Sequence, residues 1–535
     1  MSDSTPSTSL ELVLREAHED DVPAIRDLFE VVYGADYPYQ QFLDTHWLKR
    51  SVFADDIIML VAAEGDRLLG TASFVFDLGA HSDLLGEFGR LVVHPDARGH
   101  GVGRRLMEAR IQYIENRVHV GIAQNRCVHP FSQMVSRSHG LAPLGFLPMK
   151  YAFQHRESVV IWGRHFGPAL TLRRNHPRII PEAAALARLC MRNVGLTPDA
   201  VIDEASEPYP GGGEWPLEEL SDRGLPALLR IERGRVRNRE VFGPMRLQYG
   251  FFQLRARHAH YLVAWDDDGT SVVGAIGYIH DELAGGVHVF ELIATDDRVV
   301  RFLWTSLLGR CETWKVQYVE ADVSAYAPRM QRTLLTLGFL PAAYVPAMVF
   351  HHVERLDVVK MAKLFCPVDL GPIALIPASQ QVADLVMSRF EQQSVRPRIA
   401  RALASLELFE GLDSEQATRV AGVCSVRDVV AGERLFAQGD PASEVFLPLD
   451  TTLSIEVDGR AIGVVGPGES VGEVAMISDR DHSASAVAQA DGAVGVFGRD
   501  DIVHLERQRP DLALIVYRNL ARGLGEKLRR ASRKE

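Results

Sequence analysis

The residues best placed to do chemistry run from Glu87 to Tyr113. An apolar run through Leu91, Val92 and Val93 leads into a His94-Pro95-Asp96 turn. Arg98-Gly99-His100-Gly101-Val102-Gly103-Arg104 follows, then a stretch with helical apolar spacing. Glycines let a backbone turn tightly and approach a ligand with no Cβ in the way. N–H groups of such a loop, and of the first helical turn after it, have no intrahelical acceptor and suit an anion such as a diphosphate. Glu87 lies six residues before Val93, where a carboxylate can take a proton from an amine directly or through water. His94 is a second candidate base, although a turn histidine before proline is more often a satisfied loop side chain.

The flanking sequence supplies the elements such a site needs. Leu12 to Arg15 reads as a strand, and Asp20 or Asp21 caps a helix through Val22 to Phe29. Ile57 to Ala63 and Leu68 to Asp77 form a hairpin around Glu64-Gly65-Asp66. Gly89 to Val93 and Val118 to Ala123 are further strands, Phe131 to His139 a helix, and Leu141 to Phe153 an apolar run with a Pro-Leu-Gly-Phe break. These make a first domain at 1–160. A helical connector and linker at 161–214 ends in the breaker cluster Pro208 to Gly213.

From Trp215 the order starts again. One or two helices are expected over Pro216 to Arg233, a hairpin over Tyr261 to Ile279, and a strand at Val287 to Ala294. A helix at Val299 to Trp314, a strand at Val316 to Val323, a helix at Arg329 to Leu337 and an apolar run at Tyr344 to Val353 complete it. Leu337-Gly338-Phe339-Leu340-Pro341 repeats Leu144-Gly145-Phe146-Leu147-Pro148. A second domain is therefore placed at 215–355. Its loop, Thr295-Asp296-Asp297-Arg298, has no glycine and two carboxylates, which repel a diphosphate.

The glycine loop, the strand before it and the helix after it resemble the acyl-CoA-binding core of the GNAT N-acetyltransferase superfamily, whose pattern is Arg/Gln-x-x-Gly-x-Gly/Ala. The resemblance covers about residues 10–160, with a degenerate second copy at about 215–355. It implies acetyl-CoA, or a longer acyl-CoA, as donor and an amine acceptor, either a small molecule or a protein lysine. It assigns the coenzyme to Leu91, Val93, Arg98, Gly99, His100, Gly101, Val102, Gly103 and Arg104, with the Val93 N–H as oxyanion donor and Glu87 as base. The family's usual tyrosine acid falls at Ser136 or Leu141, neither of them tyrosine. His129, Ser132 and Tyr151 are further candidates for lining the site. Glu87-Phe88-Gly89-Arg90 also resembles the Glu-x-x-Arg strand of acyl-amino-acid and acyl-homoserine-lactone synthases, which keeps a longer acyl donor open.

After a helical linker at 356–401, residues 402–535 change character. Short strand-like runs separated by Gly and Asp are closed by a long helical pattern from Asp500 to Arg533. Gln438-Gly439-Asp440, Gly466-Pro467-Gly468-Glu469 and Gly472-Glu473-Val474-Ala475 resemble the cyclic-nucleotide-binding domain. That resemblance places Gly472 and Glu473 at the ribose, and His482 with Ser483 where the family has a phosphate-binding arginine. Imidazole lacks the permanently charged fork of a guanidinium. A cyclic nucleotide as effector and a contact module for a homodimer both stay open. The expected fold is an α/β multidomain chain: two tandem GNAT-like domains, then a β-roll with a long closing helix.

Composition narrows the function classes. The 535 residues are 47% hydrophobic, with a net charge of −12, which argues against DNA as a partner. Five scattered cysteines show neither metal spacing nor a disulfide framework. The N-terminus lacks a signal-peptide pattern and no run is long enough to span a bilayer, so a cytoplasmic protein without a metal is expected. Two readings remain: a CoA-dependent N-acyltransferase with a regulatory or assembly domain, and a non-catalytic acyl-CoA or nucleotide sensor.

Overall fold

The computed structural model describes residues 12–35, 37, 39–76, 83–153, 155–220, 240–243, 259–366, 368–403, 408, 410–412, 416, 420, 424–441, 443–473 and 481–532. The chain divides into two units, 1–387 and 388–535.

In the first unit, β1 (Val13–Glu16), β2 (Ile57–Glu64), β3 (Arg67–Val75), β4 (Leu85–Val93), β5 (Val120–Arg126), β6 (Ala142–Ala152) and β7 (Arg156–His165) form half of one sheet, in the order β1-β2-β3-β4-β5-β7-β6. Helices α1 (Val22–Tyr33) and α2 (Thr45–Val52) bury Ile25, Leu28, Phe29 and Leu48 against Met59, Val61 and Val92. Helix α3 (Val102–Ile114) covers the opposite face, and α4 (Phe131–Ser138) follows β5.

The chain then makes the short parallel pair β8 (Arg178–Ile179) and β9 (Val201–Ile202), with α5 (Pro181–Asn193) between them. Next come β10 (Leu217–Leu220), β11 (Val241–Phe242), β12 (Ala259–Trp265), β13 (Val272–Asp281) and β14 (Gly286–Ala294). After α6 (Asp297–Thr313), β15 (Tyr318–Ser324), α7 (Pro328–Thr336), β16 (Leu340–His351) and β17 (Glu354–Leu364), the chain enters α8 (Pro377–Leu403). The sheet continues without a break through β16-β17-β15-β14-β13-β12-β10, so the second half runs through the element order of the first in reverse.

The seam is the antiparallel contact of β6 with β16, where Gly145 faces Ala343. A Cβ on Gly145 would lie 2.1 Å from the Ala343 Cβ, so glycine is what lets the two strands approach. Helix α5 bonds to the β6 side of the seam, with Asn193 donating to the Pro143 carbonyl at 2.8 Å. Both halves bend alike there: Met149 and Ala347 take positive φ of 52° and 50°.

Several expectations need correction. β7 runs to His165 and β17 to Leu364, past the domain edges at 160 and 355; both pair inside the sheet, so 356–364 is strand and not helical linker. Leu217–Leu220 is a strand on β12 rather than the start of a helix, and 221–239 lies outside the described residues. The repeated Leu-Gly-Phe is not structurally equivalent. Gly338 follows α7 with φ of 89°, whereas Gly145 lies inside β6. The counterpart of Gly338 is Gly140, after α4 with φ of 75°, a left-handed position that glycine tolerates at a helix end.

The second unit holds two small sheets. β18 (Ser425–Val429), β24 (Gly492–Gly498) and β20 (Glu444–Pro448) form one; β19 (Arg434–Phe436), β23 (Ser485–Ala488), β21 (Leu453–Val457) and β22 (Arg460–Val465) form the other. The single closing helix expected from Asp500 is two, α9 (Arg499–Gln508) and α10 (Pro510–Ser532). Pro510 stands at the first position of α10, where its missing N–H costs nothing.

Candidate active site

β4 and β5 run parallel and pair from Leu85 with Val120 to Phe88 with Ala123. Beyond that point they part. A bulge starts the divergence: Ser73 faces Gly89 and Thr71 faces Val92, so β4 carries one extra residue, and Arg90 has φ of 53°. The His94 N–H donates back to the Leu69 carbonyl at 2.8 Å. Alternate residues of an antiparallel strand point their N–H groups opposite ways, so the Val93 N–H faces the gap.

The gap opens into a cleft of about 1080 Å³. On the α3 side it is lined by Leu91, Val93, Arg98, Gly99, Gly101, Val102, Gly103 and Arg104. Gly99 and Gly101 take φ of 83° and 80°, and a Cβ on either would meet nothing within 4 Å. The Arg105 N–H bonds to the Gly101 carbonyl at 3.1 Å and starts the helical ladder, which leaves the amides of Val102 to Arg104 for a ligand. Of the coenzyme residues expected from sequence, His100 alone does not line the cleft; it is exposed on the loop.

The facing wall comes from β5 and α4. His129 Nδ1 and Ser132 Oγ are buried there without a hydrogen-bond partner. Burial and the nearby Arg126 hold the His129 pKa below its ordinary value, so the ring is neutral at pH 7. Tyr33, Tyr37 and Phe153 line the end toward α1, and Tyr33 and Tyr37 stack with centroids 4.5 Å apart. Arg126 holds Glu157 through two bonds of 2.6 Å and lies 4.3 Å over the Phe153 ring.

Glu87 stands where β4 and β5 are still paired, outside the cleft lining. It accepts from Gln124 Nε2 at 2.9 Å, and the Tyr151 hydroxyl donates to Gln124 Oε1 at 3.0 Å. Burial, and then the charge of Glu87, hold the Tyr151 pKa well above its ordinary value. Arg90 turns to Ser73 Oγ at 3.1 Å. His94 accepts the Asp96 N–H at 3.3 Å and belongs to the turn, not to the cleft. Ser136 and Leu141, the two places for a tyrosine acid, are both buried, and Ser136 accepts from Asn125 at 2.7 Å.

Sequence reasoning missed Gln124, Arg126 and Glu157. Arg126 and Glu157 are 31 residues apart, and only the β5–β7 ladder joins them. The Tyr33-x-x-x-Tyr37-x-Tyr39 spacing was the one readable sign of the aromatic wall.

The second half differs at the equivalent place. β14 and β15 also part after four pairs, Gly286 with Tyr318 to Val289 with Ala321. There β11 pairs with Val323 and Asp322 of β15, with Val241 and Phe242 1% and 2% exposed. A Cβ on the adjoining Gly243 would lie 2.3 Å from the Phe290 Cβ on β14. Asp296 caps α6 by accepting the Arg298 N–H at 2.8 Å.

In the second unit, Gly472 has φ of 94° and Glu473 is buried. His482 does not present itself as a phosphate ligand. Its ring is buried and stacks on Phe436 with centroids 3.7 Å apart. Its backbone N–H bonds to Asp440 at 2.9 Å, and burial lowers its pKa. Ser483 is exposed; Val474 and Ala475 lie outside the described residues. Among the described residues no acidic, His and Cys cluster suits a metal, and no helix is long and apolar enough to cross a membrane.

Residues 22–129 match the model of the acetyltransferase (GNAT) family, and residues 426–509 that of the cyclic nucleotide-binding domain. The chain thus carries a GNAT acetyltransferase domain and a C-terminal cyclic nucleotide-binding domain. Curated relatives include Glutaminase 2 of Bradyrhizobium diazoefficiens, 29% identical over 133 residues, covering 25% of this chain and 21% of that protein. The Pycsar effector protein XpPycTIR of Xanthomonas perforans is 28% identical over 143 residues (26% and 47%). The cyclic AMP receptor protein of Thermus thermophilus is 31% identical over 129 residues (23% and 58%). The chain thus spans less than two thirds of each. Solved structures similar to part of it include the putative acetyltransferase yncA of Salmonella typhimurium with acetyl-CoA, 21% identical, covering 29% of this chain and 94% of that one, TM-score 0.27. The Thermus thermophilus catabolite activator protein is 30% identical, covering 24% and 61%, TM-score 0.22. The GNAT domain contains the β4–β5 gap and the glycine loop. The cyclic nucleotide-binding domain contains Gly472, Glu473 and His482.

Proposed function

We propose that the first half of this chain transfers an acyl group, acetyl first among candidates, from acyl-CoA to an amine. The observation that carries the reading is the parting of β4 from β5 into a cleft with donors on both walls. The residues fit the donor molecule: amides at 102–104 suit a diphosphate, and His129 and Ser132, with buried polar atoms left unpartnered on the facing wall, suit the amides of a pantetheine arm. Bound acyl-CoA supplies a thioester, the activated acyl group.

The rest falls to the protein. An acceptor ammonium has a pKa of about 10.4 in water and must lose a proton before it can attack. Glu87, held in place by Gln124, takes that proton. The Val93 N–H donates to the oxyanion that forms on the acyl carbon. The intermediate collapses as its C–S bond breaks, and the CoA sulfur leaves as a thiolate that takes a proton from water. Tyr151 keeps its proton at neutral pH and donates to Gln124, which in turn holds Glu87. Small amines and protein lysines both remain acceptors to test.

The second half is a scaffold without coenzyme. Its gap is filled by β11 and its helix start is capped by Asp296, which supports one coenzyme per chain. The cyclic nucleotide-binding domain is a regulatory or assembly module. A nucleotide acts through it only by favouring one arrangement of the chain over another.

One observation favours the second reading, a sensor: the usual acid positions, Ser136 and Leu141, are sealed in the core. Titration calorimetry with CoA, followed by thiol release from acetyl-CoA over an amine panel, separates the two. One site per chain and amine-dependent thiol release are expected. Binding without release over the whole panel leaves the sensor, and no CoA binding overturns both the transferase and an acyl-CoA sensor.

A further inference from the structure

Arg110 lies on the inner face of α3 among Leu106, Met107 and Ile111, and is 1% exposed. Lysine and arginine are almost never buried so fully without a partner charge. Among the described residues no carboxylate meets this one. Its Nη1 donates to the Ser73 carbonyl at 3.1 Å and to the Gly89 carbonyl at 3.2 Å. Nη2 faces Met107 Sδ at 3.4 Å, the Phe88 ring centre lies 5.4 Å away, and Nε has no acceptor. Desolvation alone pushes its pKa down to about 9, so the group is still a cation at neutral pH.

The two carbonyls stand at the edge of the bulge. Ser73 and Gly89 face each other across β3 and β4 at the point where the register slips and Arg90 turns to positive φ. A bulge disrupts the ladder locally, and the Gly89 carbonyl there also accepts from Ser73 Oγ at 3.4 Å. Arg110 supplies donors from the α3 side, while Arg90 donates to Ser73 Oγ. An apolar side chain would fill the same volume. What the guanidinium adds is a rigid set of donors spanning two strands.

We propose that Arg110 is a positioning residue: it clamps the β4 bulge and thereby sets the width of the gap through which an acyl-CoA arm reaches its acceptor. The proposal rests on the acyl-CoA reading for its function but not for its geometry. Two measurements on the full chain test it, amide hydrogen exchange without ligand and calorimetric affinity for acetyl-CoA, each on wild type, R110M and R110K. In R110M, exchange over Gly89 to Val93 rises tenfold or more while β2 and β7 stay protected, and the Kd for acetyl-CoA rises tenfold or more. R110K, with one ammonium in place of the fork, falls between R110M and wild type on both measures. Unchanged exchange and affinity in R110M overturn the proposal, and so does exchange that rises equally across the sheet. If R110M does not fold, R110K decides: a rise confined to Gly89 to Val93 supports the clamp, and its absence overturns it. The exchange arm needs no coenzyme, so a wild type that binds none refutes the acyl-CoA reading and leaves the clamp to its own test.

Discussion

The second half closes its helix start with Asp296, and placing the same carboxylate in the first half tests the diphosphate site directly. Gly101 is the N-terminal cap of α3, with φ of 80° and open space around its Cβ position. G101A and G101D therefore share one cost, a side chain in the left-handed region, about 1 kcal/mol. G101D alone adds a charge. At about 5 Å from a diphosphate oxygen and an effective dielectric of about 20, the repulsion is about 3 kcal/mol. That is a loss of affinity of about a hundredfold relative to G101A. The loss shrinks with added salt, because the screening length is only about 8 Å at physiological ionic strength. Calorimetric titration of CoA into wild type, G101A and G101D at low and high salt reads both quantities. G101D binding within threefold of G101A, or a penalty indifferent to salt, refutes the placement of the diphosphate at this loop.

Three further outcomes are expected. E87Q lowers the rate of amine acylation about a hundredfold or more and leaves acetyl-CoA affinity nearly unchanged, because Glu87 stands outside the cleft lining; turnover and titration measured side by side check this. G145V drives a side chain into Ala343 at the β6–β16 seam and destabilises the first unit by about 1–3 kcal/mol in urea unfolding; equal stability would show that the strands do not meet there. His165 is half-buried and donates to the Pro346 carbonyl at 2.7 Å, and desolvation lowers its pKa to about 4. The unfolded chain, with histidine near 6.5, then binds more protons than the folded one between those values, so stability is full above about pH 6.5 and falls toward pH 4. The melting midpoint of H165Q should drop less over that window than that of wild type, and identical slopes would rule His165 out as the source.

Local chemistry was the legible part of this chain. The glycine loop, its strand and its helix stand where the sequence put them, because glycine spacing, a proline turn and helical periodicity are short-range signals. The duplication was readable from element order, but its register was not. Leu-Gly-Phe occurs in both halves, yet Gly145 serves a close approach of strands and Gly338 a helix end, and identical letters do not distinguish those demands. Arg126 and Glu157 become a pair only through strand pairing, so no local pattern announces them. The filling of the second gap by Val241 and Phe242 was invisible for the same reason. Two apolar residues carry no periodicity, and their partners on β15 lie about 80 residues further on.

The continuous sheet has one more consequence. In a symmetric pair of identical chains every substitution is felt twice, once on each side of the axis, so neither copy can lose a ligand while the other keeps it. Joining the two copies in one polypeptide removes that constraint. Asp296 can cap one helix start while Gly101 leaves the other open.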